Sequence, residues 1–367
     1  MSALRELTEK DKRYFRKLAD CGTEEEALCI IDDCVRNGVN FNALTGEGEE
    51  RQSGLAEALI YTPPWLSVIQ KLVASGFDPL VRPLHPYCAP AAITCICNFS
   101  ESIPTGSGRE PVSGVEYAHL KNVHIDDEGG CSVISVTKYL LDFRPDLSAR
   151  ANGDSDETLS EFFDNEVCFV FDQFKLFFAC AVMETISAIL RRAEEGKDYH
   201  AVYAYNRVFG QAFKGIAFCP LASSEDAALP FKRDYENYEG ALIVRGRVVL
   251  RFEEFDLVFS QNGVPIIDNT LRTEDMPVTV EDNIAGGFVG KRISDIYLYE
   301  EAALPDGSLP KDCTTSQRRT VAELIFADGA VMVVKSAWAD NLFQTVECQA
   351  REEAAENPSG IDGNKNG

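Results

Sequence analysis

Four histidines stand in the chain, and any acid–base or metal chemistry has to be built around them. His85 and Cys88, with Cys95 and Cys97 downstream, offer side chains of the kinds that bind zinc. A helix across Ala89–Asn98 would turn Cys95 and Cys97 roughly 200° apart, so that pair cannot share one metal. His119 and His124 fall near Asp126, Asp127 and Glu128. Imidazoles among carboxylates suit a transition metal or proton transfer, but this spacing fits no defined template. His200 lies beside Tyr199 and close to Tyr203 and Tyr205, which suits packing or a surface position.

Motifs that announce catalysis are missing from the sequence. It has no phosphate loop of the Gly-x-x-x-x-Gly-Lys-Ser/Thr kind, no dinucleotide fingerprint after a strand, and no Gly-x-Ser-x-Gly elbow. Gly286-Gly287-Phe288-Val289-Gly290-Lys291 is glycine-rich, but it precedes the strand-like Arg292–Ile296 and reads as a turn. Cys88 could serve as a nucleophile, yet nothing near it in sequence would lower its pKa. These residues therefore predict no enzyme, no metal and no cofactor.

Composition narrows the partners. The 59 acids against 35 bases leave a formal net charge of −24. Nucleic acid and anionic membrane would be repelled, because affinity for both comes from neutralising phosphates. An acidic surface favours a basic protein partner, chiefly through faster encounter. No apolar run approaches the roughly 20 residues of a membrane span, and the start of the chain lacks a secretory signal's apolar core. Of the twelve cysteines, Cys29, Cys34, Cys95, Cys97, Cys168 and Cys180 lie in apolar helical stretches and read as reduced thiols of a cytoplasmic protein.

The elements that would position a binding surface recur. Ile31-Asp32-Asp33-Cys34-Val35-Arg36-Asn37-Gly38-Val39-Asn40-Phe41-Asn42-Ala43 has a counterpart in Ile69-Gln70-Lys71-Leu72-Val73-Ala74-Ser75-Gly76-Phe77-Asp78-Pro79. Each is the end of a helix, a glycine turn, an apolar residue, then Asn or Asp. Val136–Leu147 aligns on Val68–Leu80 as a third unit, and Glu157–Phe162 would begin a last one. A unit of this size cannot bury its apolar side alone, so repetition predicts a stack. Helices are expected over Glu9–Ala19, from Thr23 (a cap, with Glu26 at capping-box spacing) to Gly38, over Ser53–Ile60, and over Trp65–Ser75 after a Thr62 cap and Pro63.

These motifs resemble ankyrin repeats. Gly38-Val39-Asn40-Phe41-Asn42-Ala43 matches the family's Gly-Ala-Asp-x-Asn-Ala phrase, and Gly76-Phe77-Asp78-Pro79 matches its first half. Ile69-x-x-Leu72-Val73 and Ile31-x-x-Cys34-Val35 fit the second-helix pattern. Ser53–Ala58 stands where Thr-Pro-Leu-His-x-Ala is expected, without the Thr and His. The resemblance covers roughly residues 9–170. It implies that turn tips and short first helices line a recognition face, placing Phe41, Glu47, Glu49, Glu50, Arg51 and Glu57 there. Phe41 packing on the next repeat is an equal alternative.

Beyond the repeats, 171–233 reads as a helical cap or connector, with a further helix over Tyr199–Phe213. Residues 234–348 read as an antiparallel β-rich domain, a small sheet or barrel. A tight turn at Arg245-Gly246 is expected between two strands, and Asp328-Gly329 signals a hairpin. Trp338, Asp340 and Phe343 offer a second interface patch. Residues 98–130 read as an inserted loop in the 1–170 repeat region, and 349–367 as a disordered tail. The expectation is an α+β multidomain protein that binds another, basic protein without catalysis, such as an immunity protein or inhibitor. An enzyme or small-ligand binder, with a pocket between stack and β domain using His119, His124 or His200, is the alternative. A self-associating scaffold is the third.

Overall fold

The computed structural model describes residues 6–45, 52–62, 64–82, 89–100, 116–119, 133–148, 158–163, 177–220, 235–238, 241–259, 263–269, 278–279, 286–302, 318–336 and 343–349. A helical N-terminal region is followed by a β-rich one. The helices are α1 Glu9–Ala19, α2 Glu24–Arg36, α3 Gly54–Ala58, α4 Leu66–Ala74, α5 Ala91–Ser100, α6 Val133–Leu141 and α7 Phe177–Glu194. Strands in chain order are β1 Leu44–Thr45, β2 Gln52–Ser53, β3 Glu116–His119, β4 Val202–Ala204, β5 Phe213–Pro220, β6 Tyr235–Tyr238 and β7 Ala241–Phe252. After them come β8 Asp256–Phe259, β9 Pro265–Asp268, β10 Val278–Thr279, β11 Ile293–Ala302, β12 Arg318–Phe326, β13 Val331–Lys335 and β14 Phe343–Gln349. The chain forms two compact units, one of residues 1–109, 122–207 and 266–270, the other of 110–121, 208–265 and 271–367.

In the first unit, α1, α3 and α5 touch in sequence as one row, and α2, α4, α6 and α7 as a second. Ile31, Ile69 and Thr137 hold equivalent buried places in α2, α4 and α6. Local chemistry fixes each helix end. Thr8 and Asp11 form a capping box at α1, and the buried Asp11 also accepts the Asn40 N–H at 3.1 Å. Thr23 caps α2 by accepting the Glu26 N–H, while Glu26 reaches back to the Gly22 N–H at 3.1 Å.

The chain leaves α2, α4, α6 and α7 by one and the same turn. A left-handed residue follows each helix: Gly38 (φ 59°), Gly76 (105°), Arg144 (55°) and Gly196 (68°). The next N–H returns to the helix, Val39 to Cys34 and Phe77 to Leu72 at 3.0 Å, Lys197 to Arg192 at 2.8 Å. Pro145, which has no N–H, stands at that place in the third turn. Asn40, Asp78, Asp146 and Asp198 then each accept the N–H two residues on, at 3.1, 2.9, 3.2 and 3.0 Å.

Neighbouring turns are braced along this edge. The Asn42 amide donates to the Gly76 carbonyl and accepts the Asp78 N–H, both at 2.8 Å. Arg82 pairs with Asp146 at 3.6 Å. After the fourth turn, β4 pairs antiparallel with β9, and the Asn269 N–H donates to the Ala201 carbonyl at 3.1 Å. Arg192 of α7 holds Asp268 of β9 through Nη2 at 2.6 Å and Nε at 3.2 Å. Residues 266–270, remote in sequence, thus complete the last layer of the first unit.

In the second unit the antiparallel ladder runs β3–β11–β12–β13–β14–β7–β5, and β5 meets β11 again through the bridge Ala212↔Arg292. Two matching substructures meet at that bridge. The Gly210 N–H donates to Ile293 and the Gly290 N–H to Phe213, at 2.9 and 2.8 Å. The Phe213 N–H donates to Lys291 and the Ile293 N–H to Gln211. Gly210 (φ 78°) and Gly290 (φ 84°) are both left-handed, and both β5 and β11 are irregular two residues into the strand. The arrangement is an approximate two-fold. Phe213, Phe252, Phe288 and Phe326 are buried around it, with ring centroids 5.0–6.0 Å apart in the pairs Phe288–Phe326, Phe213–Phe252 and Phe213–Phe326.

Several expectations are corrected. Tyr199–Phe213 is not one helix: β4 and a 3-10 turn over Tyr205–Val208 occupy it, because the fourth turn and the β4–β9 pairing take up its backbone groups. Arg245-Gly246 is not a turn either. β7 runs straight through, with Arg245 opposite Phe343 and Gly246 opposite Pro220, so the strand changes partner there rather than reversing. Strands lie ahead of residue 234: β3 pairs with β11, and β4 and β5 precede β6. Thr62 does not cap α4, whose N-cap is Trp65; its hydroxyl donates to the Leu18 carbonyl at 3.1 Å, tying this segment to α1. Within 98–130 the described residues include the strand β3; the tail 349–367 lies outside them apart from Gln349, the end of β14.

Two stability tests follow from this packing. A Cβ at Gly263 (φ +78°) would stand 2.7 Å from Ser336 Cβ and 2.9 Å from Thr320 Cβ, whereas one at Gly210 or Gly290 meets nothing within 4 Å. Gly210→Ala and Gly290→Ala should each cost about 1–2 kcal/mol for the left-handed backbone. Gly263→Ala should cost about 1–3 kcal/mol more for the overlap, measured as urea midpoints. The Arg192 and Asp268 side chains are 14% and 11% exposed, so Arg192→Ala should destabilise by about 3 kcal/mol. A cycle with Asp268→Ala should recover much of that loss; additive effects would mean the pair is uncoupled.

Candidate functional site

The sequence-predicted recognition residues divide by position. Phe41 is 4% exposed and offers no outward ring. Glu57 is exposed on α3 and accepts a hydrogen bond from the Thr45 hydroxyl of β1 at 3.2 Å. β1 pairs antiparallel with β2, Leu44 opposite Ser53 and Thr45 opposite Gln52. Glu57 therefore stands beside the short β1–β2 ladder. Glu47, Glu49, Glu50 and Arg51, between those strands in sequence, lie outside the described residues, as do Trp338 and Asp340. Phe343 opens β14 opposite Arg245.

The candidate chemistry residues are dispersed. His119 is opposite Tyr297 in the β3–β11 register and belongs to the second unit; His200 belongs to the first. His85, Cys88, His124, Asp126, Asp127 and Glu128 lie outside the described residues. Among the described residues no group of three or more His, Cys, Asp or Glu side chains could hold a metal ion, and no helix is long and apolar enough to cross a membrane. The Gly286–Lys291 segment is a turn leading into β11, as its sequence implies, with a 3-10 helix over Gly286–Phe288. Its Lys291 pairs with Asp328 at 2.7 Å and holds that carboxyl below its usual range.

A denser polar cluster sits at the third and fourth turns. The Tyr199 hydroxyl donates to Asp142 Oδ1 at 2.7 Å, and His200 Nε2 lies 2.9 Å from the same oxygen. Their rings stack with centroids 4.6 Å apart. Burial, then the hydrogen bond to Asp142 and its charge, push the Tyr199 phenol well above its ordinary range, while Arg144 pulls the other way. Lys138 is only 7% exposed; its Nζ donates to the His200 carbonyl at 3.2 Å and lies 4.1 Å from the centre of the Tyr203 ring. The sequence holds Gly196-Lys197-Asp198, the phrase that places these rings, but its helix is too unlike the earlier ones to suggest a repeat.

Cys21, Cys29, Cys34 and Cys95 are thiols outside any disulfide. Burial, then Asp33, pushes Cys34 up to about 11, and burial pushes Cys95 up to about 12. Compared with known proteins, the chain matches no family model, no curated protein and no solved structure. A thiol test probes the helical packing directly. At pH 8, exposed Cys29 should be alkylated at least about tenfold faster than Cys34, one and a half turns along the same helix, as read by peptide mass mapping. Equal rates would show that α2 is not packed as described.

Proposed function

We propose that this chain is a non-catalytic protein-recognition module in which an ankyrin-like helical stack, joined to a barrel-like β domain, offers acidic residues to a basic protein. The observation that carries this reading is the turn repeated after α2, α4, α6 and α7, which aligns successive connections along one edge. Stacks of this kind expose a continuous edge of turns and fingers, a geometry suited to large surfaces. Glu57, exposed on α3 beside Thr45 of β1, and the Glu47, Glu49 and Glu50 that the sequence holds between β1 and β2 are the acids this reading assigns to the partner. The net charge of −24 favours encounter with a cationic partner and disfavours nucleic acid and anionic membrane. A concrete form of the role is a cytoplasmic inhibitor or immunity protein that neutralises a basic toxin. The bridge between the starts of β5 and β11, which brings the ladder's last strand back to its second, supports a closed barrel as the second part.

Reversing Glu47, Glu49, Glu50 and Glu57 to Lys tests the reading. A basic protein captured by the parent chain should bind the variant about tenfold or more weakly, and binding to the parent should fall as salt rises. Identical capture by both, with unchanged circular dichroism, would contradict it.

A further inference from the structure

Two pairs of rings, none fully buried, are tied to Asp142, one by position on α6 and one by hydrogen bonds. Tyr139 lies one turn before Asp142 and Phe143 directly after it, and their rings meet edge-on with centroids 5.3 Å apart. From the fourth turn the Tyr199 hydroxyl donates to Asp142 Oδ1, His200 Nε2 lies against the same oxygen, and the two rings stack 4.6 Å apart. The second pair is held by its backbone as well: the His200 N–H donates to Asp198 at 3.0 Å, and the His200 carbonyl accepts from Lys138. Asp142 Oδ2 takes no hydrogen bond from the described residues, and the Asp142 and His200 side chains stay 49% and 53% exposed.

Charge decides what such a surface attracts. Of the charged residues in these two turns, Asp146 is paired with Arg82 and Glu195 with Lys197, which leaves Asp142 and Asp198 against Arg144. Ring faces carry partial negative charge, so rings beside a surplus of carboxylates suit a cation. The chain makes the same kind of contact within itself at Tyr203, whose ring centre lies 4.1 Å from Lys138 Nζ and 5.5 Å from the Arg207 guanidinium carbon. A planar guanidinium can stack on a ring and reach a carboxylate at once, which a compact ammonium does less well. We infer that the Tyr199–His200 pair and Asp142, with Tyr139 and Phe143 on the same turn of chain, form a docking site for an arginine side chain of a basic partner protein. Because the Tyr199–His200 pair is already held, little ordering remains to be done on binding. The inference rests on the proposed function and deepens it, giving the basic partner a contact at the third and fourth turns.

The test uses the full chain and the ring NMR signals of His200 at fixed pH and ionic strength, titrated with an acetylated and amidated Gly-Ser-Arg-Ser-Gly peptide. Those signals should shift saturably. The same peptide with neutral citrulline for arginine should bind about tenfold more weakly, and with lysine about threefold more weakly. Tyr199→Leu should weaken the arginine peptide about fivefold, whereas Tyr199→Phe, which keeps the ring, should stay within about twofold of the parent. Asp142→Asn should weaken it about threefold; if that variant loses its circular dichroism, the two Tyr199 variants still decide. The inference is overturned by no saturable shift, by equal binding of the citrulline or lysine peptide, by undiminished binding to folded Tyr199→Leu or Asp142→Asn, or by a loss for Tyr199→Phe as large as for Tyr199→Leu. The four Glu-to-Lys reversals change other residues, so the proposed function and this docking site can fail separately.

Discussion

Every helix pair in the first unit carries an apolar side that it cannot cover alone. Ile31, Ile69 and Thr137 are buried only because α2, α4 and α6 lie next to one another, and Leu18, Leu55 and Ile96 are buried in the row α1, α3, α5. The hydrophobic contribution of such a layer belongs to the contact between neighbours rather than to any single layer. Orientation is then set by backbone chemistry. A left-handed residue ends the helix, an Asn or Asp side chain closes the next turn, and Asn42 ties the first turn to the second. Without the repeated turn, apolar burial alone would allow many relative angles of the helices.

The second unit meets a different constraint. A sheet must dispose of its edges, and here β5 and β11 start with matching left-handed glycines that exchange hydrogen bonds across the Ala212↔Arg292 bridge. Phenylalanines from each substructure fill the space around that junction. Gly263 lets a loop approach Thr320 and Ser336 more closely than any side chain would permit. Glycine serves the two units differently: it ends helices in the first and allows close approach and strand entry in the second.

The helical part was largely legible in sequence because its signals are local. Thr23–Glu26 and Gly38 and Gly76 name helix ends within a few residues, and α1 has the limits its charge pattern implies. The third turn was legible from Val136–Leu147 even though Arg144 and Pro145 replace the usual residues. The fourth was not, since its strand partner β9 arrives from more than sixty residues away and no local pattern announces it. The same holds for the two-fold in the β region, where Gly210 and Gly290 correspond but their neighbours differ in kind. Arg245-Gly246 misleads because a glycine inside a strand that changes partner looks, in sequence, like one that reverses it. Of the candidate site, Glu57 was legible as exposed and Phe41 was not legible as buried, while the Asp142–Tyr199–His200 contact joins residues that sequence leaves far apart.

The proposed recognition rests on the ordered edge of turns rather than on any one side chain. Its foundation is the order of the layers, and methyl NOEs in the full chain measure that order most directly. The account predicts NOEs between methyls of α2 and α4 and between those of α4 and α6, with none directly between α2 and α6. Cross-peaks linking α2 to α6, or none between α4 and α6, would contradict it.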